Sequence, residues 1–411
     1  MKCGLLGKKL SHSYSPQIHS YLGDYSYILE EVQPDKLREF FANNDYTGMN
    51  VTIPYKKDVI AFCDELTDCA KKIGAVNTIV QRKDGTRIGH NTDYFGFSSM
   101  VGRMQIPLAG KKALVLGSGG ASVTAVAVLE ELGASVTVIS RSGENNYDNL
   151  HLHADAALIV NATPVGMYPN AGISPVNLDL FPHLEGVLDI VYNPSRTQLL
   201  LDAEARNIPC QNGLWMLVAQ AKESAEWFLG TKIGDDIIGA IYEKLRKQME
   251  NIVLIGMPGC GKSTIGRLLA EKLGRVFVDA DEEIVQRAGM PIPELFATRG
   301  EAGFRQLETE VLSILGQKSG QVIATGGGCV TRAENYPLLH QNGTIYWIKR
   351  DLAKLPTDGR PLSQATALEQ MYSVRQPMYH RFCDCIVYND GAPEDAVFEI
   401  LKGYSYEDFS N

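Results

Sequence analysis

The pattern of apolar and polar positions predicts two strand–turn–helix units. In the first, the apolar run Ala113–Leu116 meets the glycines of Gly117–Gly120, and apolar residues then recur at helical spacing as far as Leu132. In the second, Ile252–Ile255 meets the glycines of Gly256–Gly261, and a helical pattern follows again. Such a unit turns backbone N–H groups and a helix N-terminus toward an anion. The two units lie about 140 residues apart, which predicts an α/β protein with two separate nucleotide sites.

The pattern also locates a boundary between the two units. Residues Ile233 to Gln248 predict a helix, because Ile237, Ile238, Ile241 and Leu245 recur on one face. A new buried strand begins at Ile252, and no Gly/Ser-rich or Pro-rich linker intervenes. We therefore expect a short joint near Met249.

Composition excludes several classes of protein. The 411 residues are 45% hydrophobic and 21% charged, as in ordinary globular proteins, and the length predicts two or three domains. The net charge of −9 comes without a basic block, so we expect no nucleic-acid partner. The apolar runs are too short for a membrane span, and the start lacks the pattern of a signal peptide. Eight scattered cysteines without paired Cys-x-x-Cys motifs predict reduced thiols in a cytoplasm and no zinc site.

The second glycine cluster matches a complete phosphate loop. The segment Gly256-x-x-Gly259-Cys260-Gly261-Lys262-Ser263-Thr264 follows a strand-like run and opens a helix. In this pattern the backbone wraps the phosphates of ATP, the lysine reaches the β/γ-phosphates, and the serine hydroxyl binds Mg²⁺. These residues therefore predict an ATP and Mg²⁺ site.

Further motifs follow this loop in order, although each alone has a simpler reading. Two acidic residues separated by one residue are as common in a solvated turn as in a binding site, and a single arginine is commonly a surface charge. The motifs are Asp279-Ala280-Asp281, Phe304-Arg305, Gly326-Gly327-Gly328, Gly359-Arg360-Pro361-Leu362 and Arg375-x-Pro377-x-Tyr379. Together with the phosphate loop, the region from Asn251 to about Lys402 resembles shikimate kinase.

That resemblance implies a role for each motif. Asp281 would orient or deprotonate the attacking hydroxyl, Lys262 and Arg360 would stabilise the transferred phosphoryl group, and Asp279 would support Mg²⁺. Arg305 and Arg375 would clamp the substrate carboxylate, and Gly326, Gly327 and Gly328 would lie against the substrate ring. The stretch from Lys349 to Arg360 is short for the family's lid, expected near residues 351 to 363.

The first glycine cluster is followed by a strand that lacks an acidic end. Ser135–Ile139 ends in Ser140-Arg141-Ser142, where an NAD site would place Asp or Glu for the ribose. An arginine between two hydroxyls favours a 2′-phosphate, hence NADP(H). The glycines also fit a purely structural turn, and Arg141 also fits a surface turn.

Seven separated motifs place polar residues near strand ends and helix starts between residues 11 and 220. They are Ser11–Pro16, Asn50–Lys57, Gly74–Thr78, Gly89–Gly96, Asn161–Met167, Asp189–Thr197 and Asn212–Gln220. Polar residues at strand ends often line the ligand crevice of an α/β fold, although each alone also fits a turn or a helix cap. Together and in this order, the motifs resemble shikimate dehydrogenase over residues 3 to about 245.

The resemblance implies a catalytic pair, Lys56 and Asp93, that polarises a ketone oxygen and exchanges a proton during hydride transfer. The adjacent Lys57 is the alternative candidate for the catalytic lysine, and the family's motif favours Lys56. Substrate-binding roles fall to Ser13, Ser15, Thr52, Asn77, Tyr192 and Gln220. NADP-binding roles fall to Gly117, Gly119, Gly120, Ala121, Arg141, Asn161, Thr163 and Gly213.

One departure from the family follows Arg141. The passage from Ser142 to Val160 is short and turn-rich, so we expect the helix after the second strand of this lobe to be reduced to a loop. His151 and His153 lie in this passage, and we expect both to be exposed and free of metal.

The two resemblances converge on one small molecule. They imply an NADPH-dependent reduction of 3-dehydroshikimate to shikimate, followed by its ATP-dependent phosphorylation. The implied fold is a two-lobed α/β dehydrogenase over residues 1–249, followed by a P-loop kinase with a parallel sheet over 250–411. The substrate lobe would span 1–104 and 214–248, and the NADP-binding Rossmann lobe 105–213. Alternatives are a quinate-type dehydrogenase fused to a kinase for another hydroxylated acid, and a non-catalytic binding protein.

Overall fold

A computed structural model describes residues 1–10, 13–43, 46–355 and 365–402 of the chain. Its internal packing divides the chain into two compact units. The first comprises Met1–Tyr192 and Leu199–Glu243, and the second comprises Asn193–Gln198 and the chain from Lys244 onward. Within the described ranges, no helix is long and apolar enough to cross a membrane.

The first unit begins with a six-stranded mixed sheet in the order β2-β1-β3-β5-β6-β4. Strand β5 runs antiparallel to both of its neighbours, and the remaining pairs are parallel. Its strands are β1 (Lys2–Gly7), β2 (Ser26–Glu31), β3 (Gly48–Val51), β4 (Glu65–Leu66), β5 (Thr78–Gln81) and β6 (Arg87–His90). Its helices are α1 (Ser15–Ser20), α2 (Leu37–Asn43), α3 (Asp68–Ile73) and α4 (Asp93–Met104).

A second sheet in this unit is wholly parallel, in the order β11-β10-β9-β7-β8. Its central strands are almost entirely apolar and buried, as expected for a parallel sheet covered on both faces. The strands are β7 (Lys112–Leu116), β8 (Ser135–Ile139), β9 (Leu158–Asn161), β10 (Gly186–Asp189) and β11 (Cys210–Gln211). The helices are α5 (Gly120–Glu131), α6 (Gln198–Glu204) and α7 (Leu214–Leu229). The next helix, α8 (Asp236–Met249), contains the boundary between Glu243 and Lys244 that divides the two units.

Helices α4 and α7 pack at very close range because of Gly96. A Cβ atom at this position would lie 2.7 Å from the carbonyl oxygen of Met216 and 2.9 Å from Cβ of Gln220. Only glycine permits this approach, and it places the start of α4 beside Gln220.

The passage after β8 contains no α-helix before β9, which confirms the expected loss of a helix after Arg141. One 3₁₀ turn, Leu150–His153, is its regular element. The expectation that both histidines are exposed is wrong for His153, which is 8% exposed. Its Nε2 is hydrogen-bonded to Oδ1 of Asn145 at 3.1 Å, and burial lowers its pKa.

The second unit contains a five-stranded parallel sheet in the order β13-β14-β12-β15-β16. Its first strand, β12, is apolar after Asn251 and buried throughout, and it leads directly into the phosphate loop. The strands are β12 (Asn251–Ile255), β13 (Phe277–Asp279), β14 (Val322–Ala324), β15 (Gly343–Lys349) and β16 (Cys385–Tyr388). The helices are α9 (Lys262–Leu273), α10 (Ala280–Ala288), α11 (Ile292–Gln317, broken at Gly300), α12 (Asn335–His340), α13 (Ala365–Phe382) and α14 (Pro393–Leu401).

Candidate functional sites

The first unit brings together the two residues predicted to act in catalysis. Lys56 lies in the loop after β3, and Asp93 is the first residue of α4. The Lys56 Nζ atom lies 2.5 Å from Oδ2 of Asp93. The two side chains are 26% and 14% exposed, so the pair is shielded but open to a small molecule. An ammonium in this position can polarise a carbonyl oxygen and supply a proton to it.

Asn77 holds the other oxygen of this carboxylate. Its Nδ2 donates to Oδ1 of Asp93 at 2.9 Å. Its own Oδ1 accepts from the backbone N–H of Thr92 at 2.7 Å and from the hydroxyl of Thr78 at 3.1 Å. Because both ends of the Asn77 amide are engaged, the orientation of Asp93 is fixed from two sides.

A buried hydroxyl behind Asn77 was missed by sequence reasoning. Ser224 on α7 is fully buried and donates to the carbonyl of Gln220, one helical turn earlier. It accepts from Nδ2 of Asn50 at 2.8 Å and lies 3.0 Å from the hydroxyl of Thr92. Thr92 also donates to Oε1 of Gln220 at 3.4 Å. The i, i+4 spacing of Gln220 and Ser224 was the available sequence signal.

The other predicted substrate residues lie at strand ends or helix starts in the same unit. The Ser13 hydroxyl accepts from the N–H of Ser15 at the start of α1. Thr52 follows β3, and its N–H donates to the carbonyl of Leu6. The Tyr192 ring contacts that of Tyr14 edge-on at 6.3 Å. In the described ranges, none of these side chains is hydrogen-bonded to Lys56 or Asp93.

The first glycine cluster turns sharply from β7 into α5. Gly117 has a φ of +104°, and a Cβ there would lie 2.9 Å from Cγ2 of Thr163. Gly119 and Gly120 face open space instead. Packing within the protein therefore requires the first glycine, while the next two leave room for a ligand against the N-terminus of α5, beside Ala121.

Arg141 is the second residue after β8 and is exposed. It forms no ion pair with any residue in the part of the chain that the structure describes. Its position at the carboxyl edge of the same sheet as Gly117 fits a role in binding the 2′-phosphate of NADP.

Two residues predicted to flank the nicotinamide side, Asn161 and Gly213, are packed closely against other parts of the protein. Asn161 is fully buried, donates to Asp189 and accepts from the Thr163 hydroxyl at 2.6 Å. A Cβ at Gly213 would lie 2.0 Å from the carbonyl oxygen of Ile190. The two residues hold the Thr163 loop and the start of α7 in place.

The phosphate loop of the second unit has the backbone that its sequence predicts. Gly256, Gly259 and Gly261 all have positive φ angles, which other residues adopt at a cost. Lys262 is buried, and its Nζ donates to the carbonyls of Gly256 at 2.9 Å and Met257 at 3.0 Å. The loop therefore encloses its lysine. Cys260 is buried within it and takes part through its backbone, while Thr264 is exposed.

Two oxygen donors stand together at the start of α9. The Ser263 hydroxyl donates to Oδ2 of Asp279 at 2.6 Å, and Asp279 caps α10 through the N–H of Asp281. A hydroxyl and a carboxylate beside a phosphate loop suit Mg²⁺, which also takes ligands from phosphates and water. In the described ranges, no group of three or more His, Cys, Asp or Glu side chains could hold a metal ion.

The three glycines after β14 allow functional side chains to approach the backbone. A Cβ at Gly326 would lie 2.8 Å from Oδ1 of Asp281, and one at Gly328 would lie 2.1 Å from Nη2 of Arg305. At Gly327 the neighbour is Pro258 of the phosphate loop, at 2.6 Å. The glycine run thus joins the predicted acid-binding residues to the predicted ATP site.

Glu308 is a residue of this site that sequence reasoning missed. Its side chain is 1% exposed and pairs with Nη1 of Arg305 at 2.7 Å. Burial raises its pKa, while Arg305 acts in the opposite direction. The i, i+3 spacing of Arg305 and Glu308 on α11 was a sequence signal for this pair.

On the other side of the glycines, Arg375 Nη1 donates to the carbonyl of Gly327 at 3.1 Å, and the hydroxyl of Tyr379 donates to the same oxygen at 2.5 Å. The remaining predicted residue, Arg360, lies outside the described residues, as does most of the expected lid.

The folds and sites define a dinucleotide-dependent oxidoreductase followed by a P-loop kinase. Two family models match: "Shikimate dehydrogenase substrate binding domain" at residues 5–79 and "Shikimate kinase" at residues 258–404. The NADP⁺-dependent shikimate dehydrogenase of Clostridium beijerinckii is 35% identical over 58% of this chain and 96% of its own length.

Two solved structures are also similar to the first unit. Shikimate dehydrogenase 1 of Peptoclostridium difficile is 37% identical, with a TM-score of 0.55 over 60% of this chain and 98% of that one. A chorismate mutase/shikimate 5-dehydrogenase fusion protein of Clostridium acetobutylicum is 35% identical, with a TM-score of 0.56 over 60% and 97%. The chain belongs to the shikimate dehydrogenase family, and it carries a shikimate kinase domain C-terminal to the dehydrogenase.

Proposed function

We propose that one chain carries out two successive reactions. The first unit reduces 3-dehydroshikimate to shikimate with NADPH, and the second phosphorylates the 3-hydroxyl of shikimate with ATP and Mg²⁺. The main support for the proposal is that the chain contains two sets of candidate catalytic residues. One is the pair Lys56 and Asp93, and the other is Lys262 with Ser263 and Asp279. The family matches to both parts of the chain support it.

In the reduction, negative charge develops on the ketone oxygen as hydride reaches the carbon. The Lys56 ammonium is suited to meet that charge and to supply the proton. Asp93, held by Asn77, keeps the ammonium in position. NADPH supplies the hydride when bound, and the glycines of Gly117–Gly120 and Arg141 are the groups that would hold its phosphates.

In the phosphorylation, the protein acts mainly through position and charge. Asp281 is placed to orient the acceptor hydroxyl, since its carboxylate borders Gly326. Arg305 is suited to bind a carboxylate because its planar guanidinium donates two parallel hydrogen bonds. Glu308 holds that guanidinium from its buried side. Arg360 completes the proposed set.

We propose the domain limits on the same grounds: dehydrogenase over 1–249, with its NADP-binding lobe at 105–213, and kinase over 250–411. All eight cysteines are free thiols, which supports a reducing compartment such as the cytoplasm.

Separate assays of the full chain test both assignments. NADPH oxidation is followed with 3-dehydroshikimate, with quinate and NAD⁺ as the reverse-reaction control, and ADP release is followed with shikimate or quinate. We expect activity with the shikimate-series substrates and a clear preference for NADP(H). Preference for quinate and NAD⁺ would identify a quinate-type enzyme, and inactivity of both units would identify a binding protein.

A further inference from the structure

One buried side chain of the second unit contacts the phosphate loop from behind. Asn389 directly follows β16, at the carboxyl edge of the sheet, and is 3% exposed. Its Nδ2 donates to the carbonyl oxygen of Cys260 at 2.8 Å. Its backbone N–H donates to the carbonyl of Lys349 at the end of β15. The side chain is therefore anchored to the sheet and reaches one peptide of the loop.

The adjoining residue, Gly261, is shaped around this contact. Its φ is +101°, and a Cβ there would lie 2.4 Å from Nδ2 of Asn389. Gly261 therefore has two separate reasons to be glycine: its backbone conformation and the space that the amide fills. Both features depend on the Cys260–Gly261 peptide having one orientation.

That orientation decides where a phosphate-binding donor points. In a trans peptide the C=O and the N–H point in opposite directions. Since Asn389 binds the carbonyl of Cys260, the N–H of Gly261 is turned away from Asn389. Gly261 is the N-cap of α9, where backbone N–H groups are free to bind an anion.

The other end of the Asn389 amide gives no reason for an asparagine at this position. Its Oδ1 is buried and has no hydrogen-bond partner in the part of the chain that the structure describes. An unpaired buried oxygen is unfavourable, and a leucine of similar size would avoid it. The donor to Cys260 is thus the feature that the side chain contributes.

We propose that Asn389 is a positioning residue of the kinase, which fixes the Cys260–Gly261 peptide so that the Gly261 N–H faces the β-phosphate of the nucleotide. The inference rests on the proposed ATP-dependent activity of this unit. It concerns a residue that acts through the loop and not one that touches the reacting atoms.

The test compares Asn389→Leu with Asn389→Thr, which keeps a short donor, in the full chain. The matched control is Asn251→Leu. Asn251 is a fully buried asparagine whose Nδ2 donates to the carbonyl of Lys318, but it lies at the opposite end of β12 from the phosphate loop. NADPH-dependent turnover of the same chains controls for the amount of intact first unit, and thermal unfolding followed by circular dichroism checks that the second unit is folded.

Binding of ADP and of AMP is measured by calorimetric titration, together with KM for ATP and for shikimate. For Asn389→Leu we expect ADP affinity to fall roughly tenfold and AMP affinity to change less than about twofold, because AMP lacks the β-phosphate that this loop binds. We expect KM for ATP to rise in parallel and KM for shikimate to stay constant. Asn389→Thr should restore most of the ADP affinity, and Asn251→Leu should alter stability without altering ADP affinity.

Two results would overturn the inference. One is equal loss of ADP and AMP affinity, which would mean that Asn389 contacts the adenosine part. The other is unchanged ADP affinity in Asn389→Leu. Should that variant not fold, Asn389→Ala takes its place in the comparison. Failure of the proposed function is distinguishable, because wild-type protein would then bind no ADP or transfer no phosphate to shikimate.

Discussion

The Nζ atom of Lys56, in the loop after β3, lies 2.5 Å from Oδ2 of Asp93, the first residue of α4. Asn77 donates to the second oxygen of the same carboxylate. Both oxygens of the carboxylate are thus engaged, one by Lys56 and one by Asn77, which holds the ammonium beside it. Pre-set charge of this kind stabilises a developing oxyanion without a cost of reorganisation.

Replacement of Lys56 should separate the two activities. Lys56→Met removes the ammonium but keeps the length of the side chain, so we expect NADPH-dependent turnover to fall by about a thousandfold or more, and phosphorylation of shikimate to remain. Steady-state assays of both reactions on one preparation measure this. The control is Lys57→Met, since Lys57 is the exposed neighbour. Persistent reduction by Lys56→Met, or its loss in Lys57→Met, would show that the lysine is wrongly assigned.

Cofactor preference should depend on Arg141. Arg141→Ala removes the cation that we assign to the 2′-phosphate, so we expect kcat/KM for NADPH to fall by about tenfold to a hundredfold and that for NADH to stay within about twofold. A folding defect would lower turnover with NADPH and with NADH alike, so the comparison of the two coenzymes is its own control. Equal losses with NADPH and NADH would assign Arg141 to general stability.

Much of the fold was predictable because glycine clusters and apolar runs are local signals. The strand predicted at Ile252–Ile255 is observed as Asn251–Ile255, and α9 begins at Lys262 as predicted. The shortened passage after Arg141 was also predictable from its turn residues.

The buried partners of the sites were not predictable in the same way. Ser224 and Glu308 lie on helices, where a polar residue usually faces solvent. Ser224 is hydrogen-bonded to Asn50, which is 174 residues away in the sequence, and only the tertiary structure brings these two together. Glu308 has its partner Arg305 on the same helix, but the sequence does not show that this pair faces the interior. The internal hydrogen bonds of Asn161 to Asp189 and Thr163 were likewise not predictable, because the motif alone does not show which partners its amide meets.

The approach of Gly328 to Arg305 gives a test of acid binding. Gly328→Ala places a methyl group in the space of the guanidinium, 2.1 Å from Nη2, at a backbone conformation that alanine also adopts. We expect KM for shikimate to rise by about tenfold or more, since a bidentate ionic contact is displaced. KM for ATP and the dehydrogenase activity should not change. An unchanged KM for shikimate would mean that Arg305 does not bind the substrate.

Burial of His19 should make the first unit sensitive to acid. Its pKa is lowered from 6.5 to about 3 by burial, and its ring stacks on Tyr27 and bonds to the hydroxyl of Tyr25. Below pH 6.5 His19 is protonated in the unfolded chain but stays neutral in the folded chain. The free energy of unfolding therefore falls as the pH falls from 6.5 toward 3. The expected loss from this group is about 2 kcal/mol between pH 6.5 and pH 5.

Denaturant titration at several pH values measures this loss. The background is Trp347→Phe, which leaves Trp215 and Trp227 of the first unit as the tryptophan probes, since the chain has three tryptophans. His19→Phe should reduce the slope of the free energy of unfolding against pH by the equivalent of about one proton. An identical slope with and without His19 would contradict the prediction.

The central claim is that one chain performs both reactions in sequence, and a coupled assay on purified full-length protein tests it most directly. The protein receives 3-dehydroshikimate, NADPH, ATP and Mg²⁺, and the products are identified and counted by mass spectrometry and by NADPH absorbance. We expect shikimate 3-phosphate and ADP to form in step with NADPH oxidation, with no ADP formed when NADPH is omitted. NADPH oxidation that yields no phosphorylated product, or ADP release that needs no prior reduction, would contradict the claim.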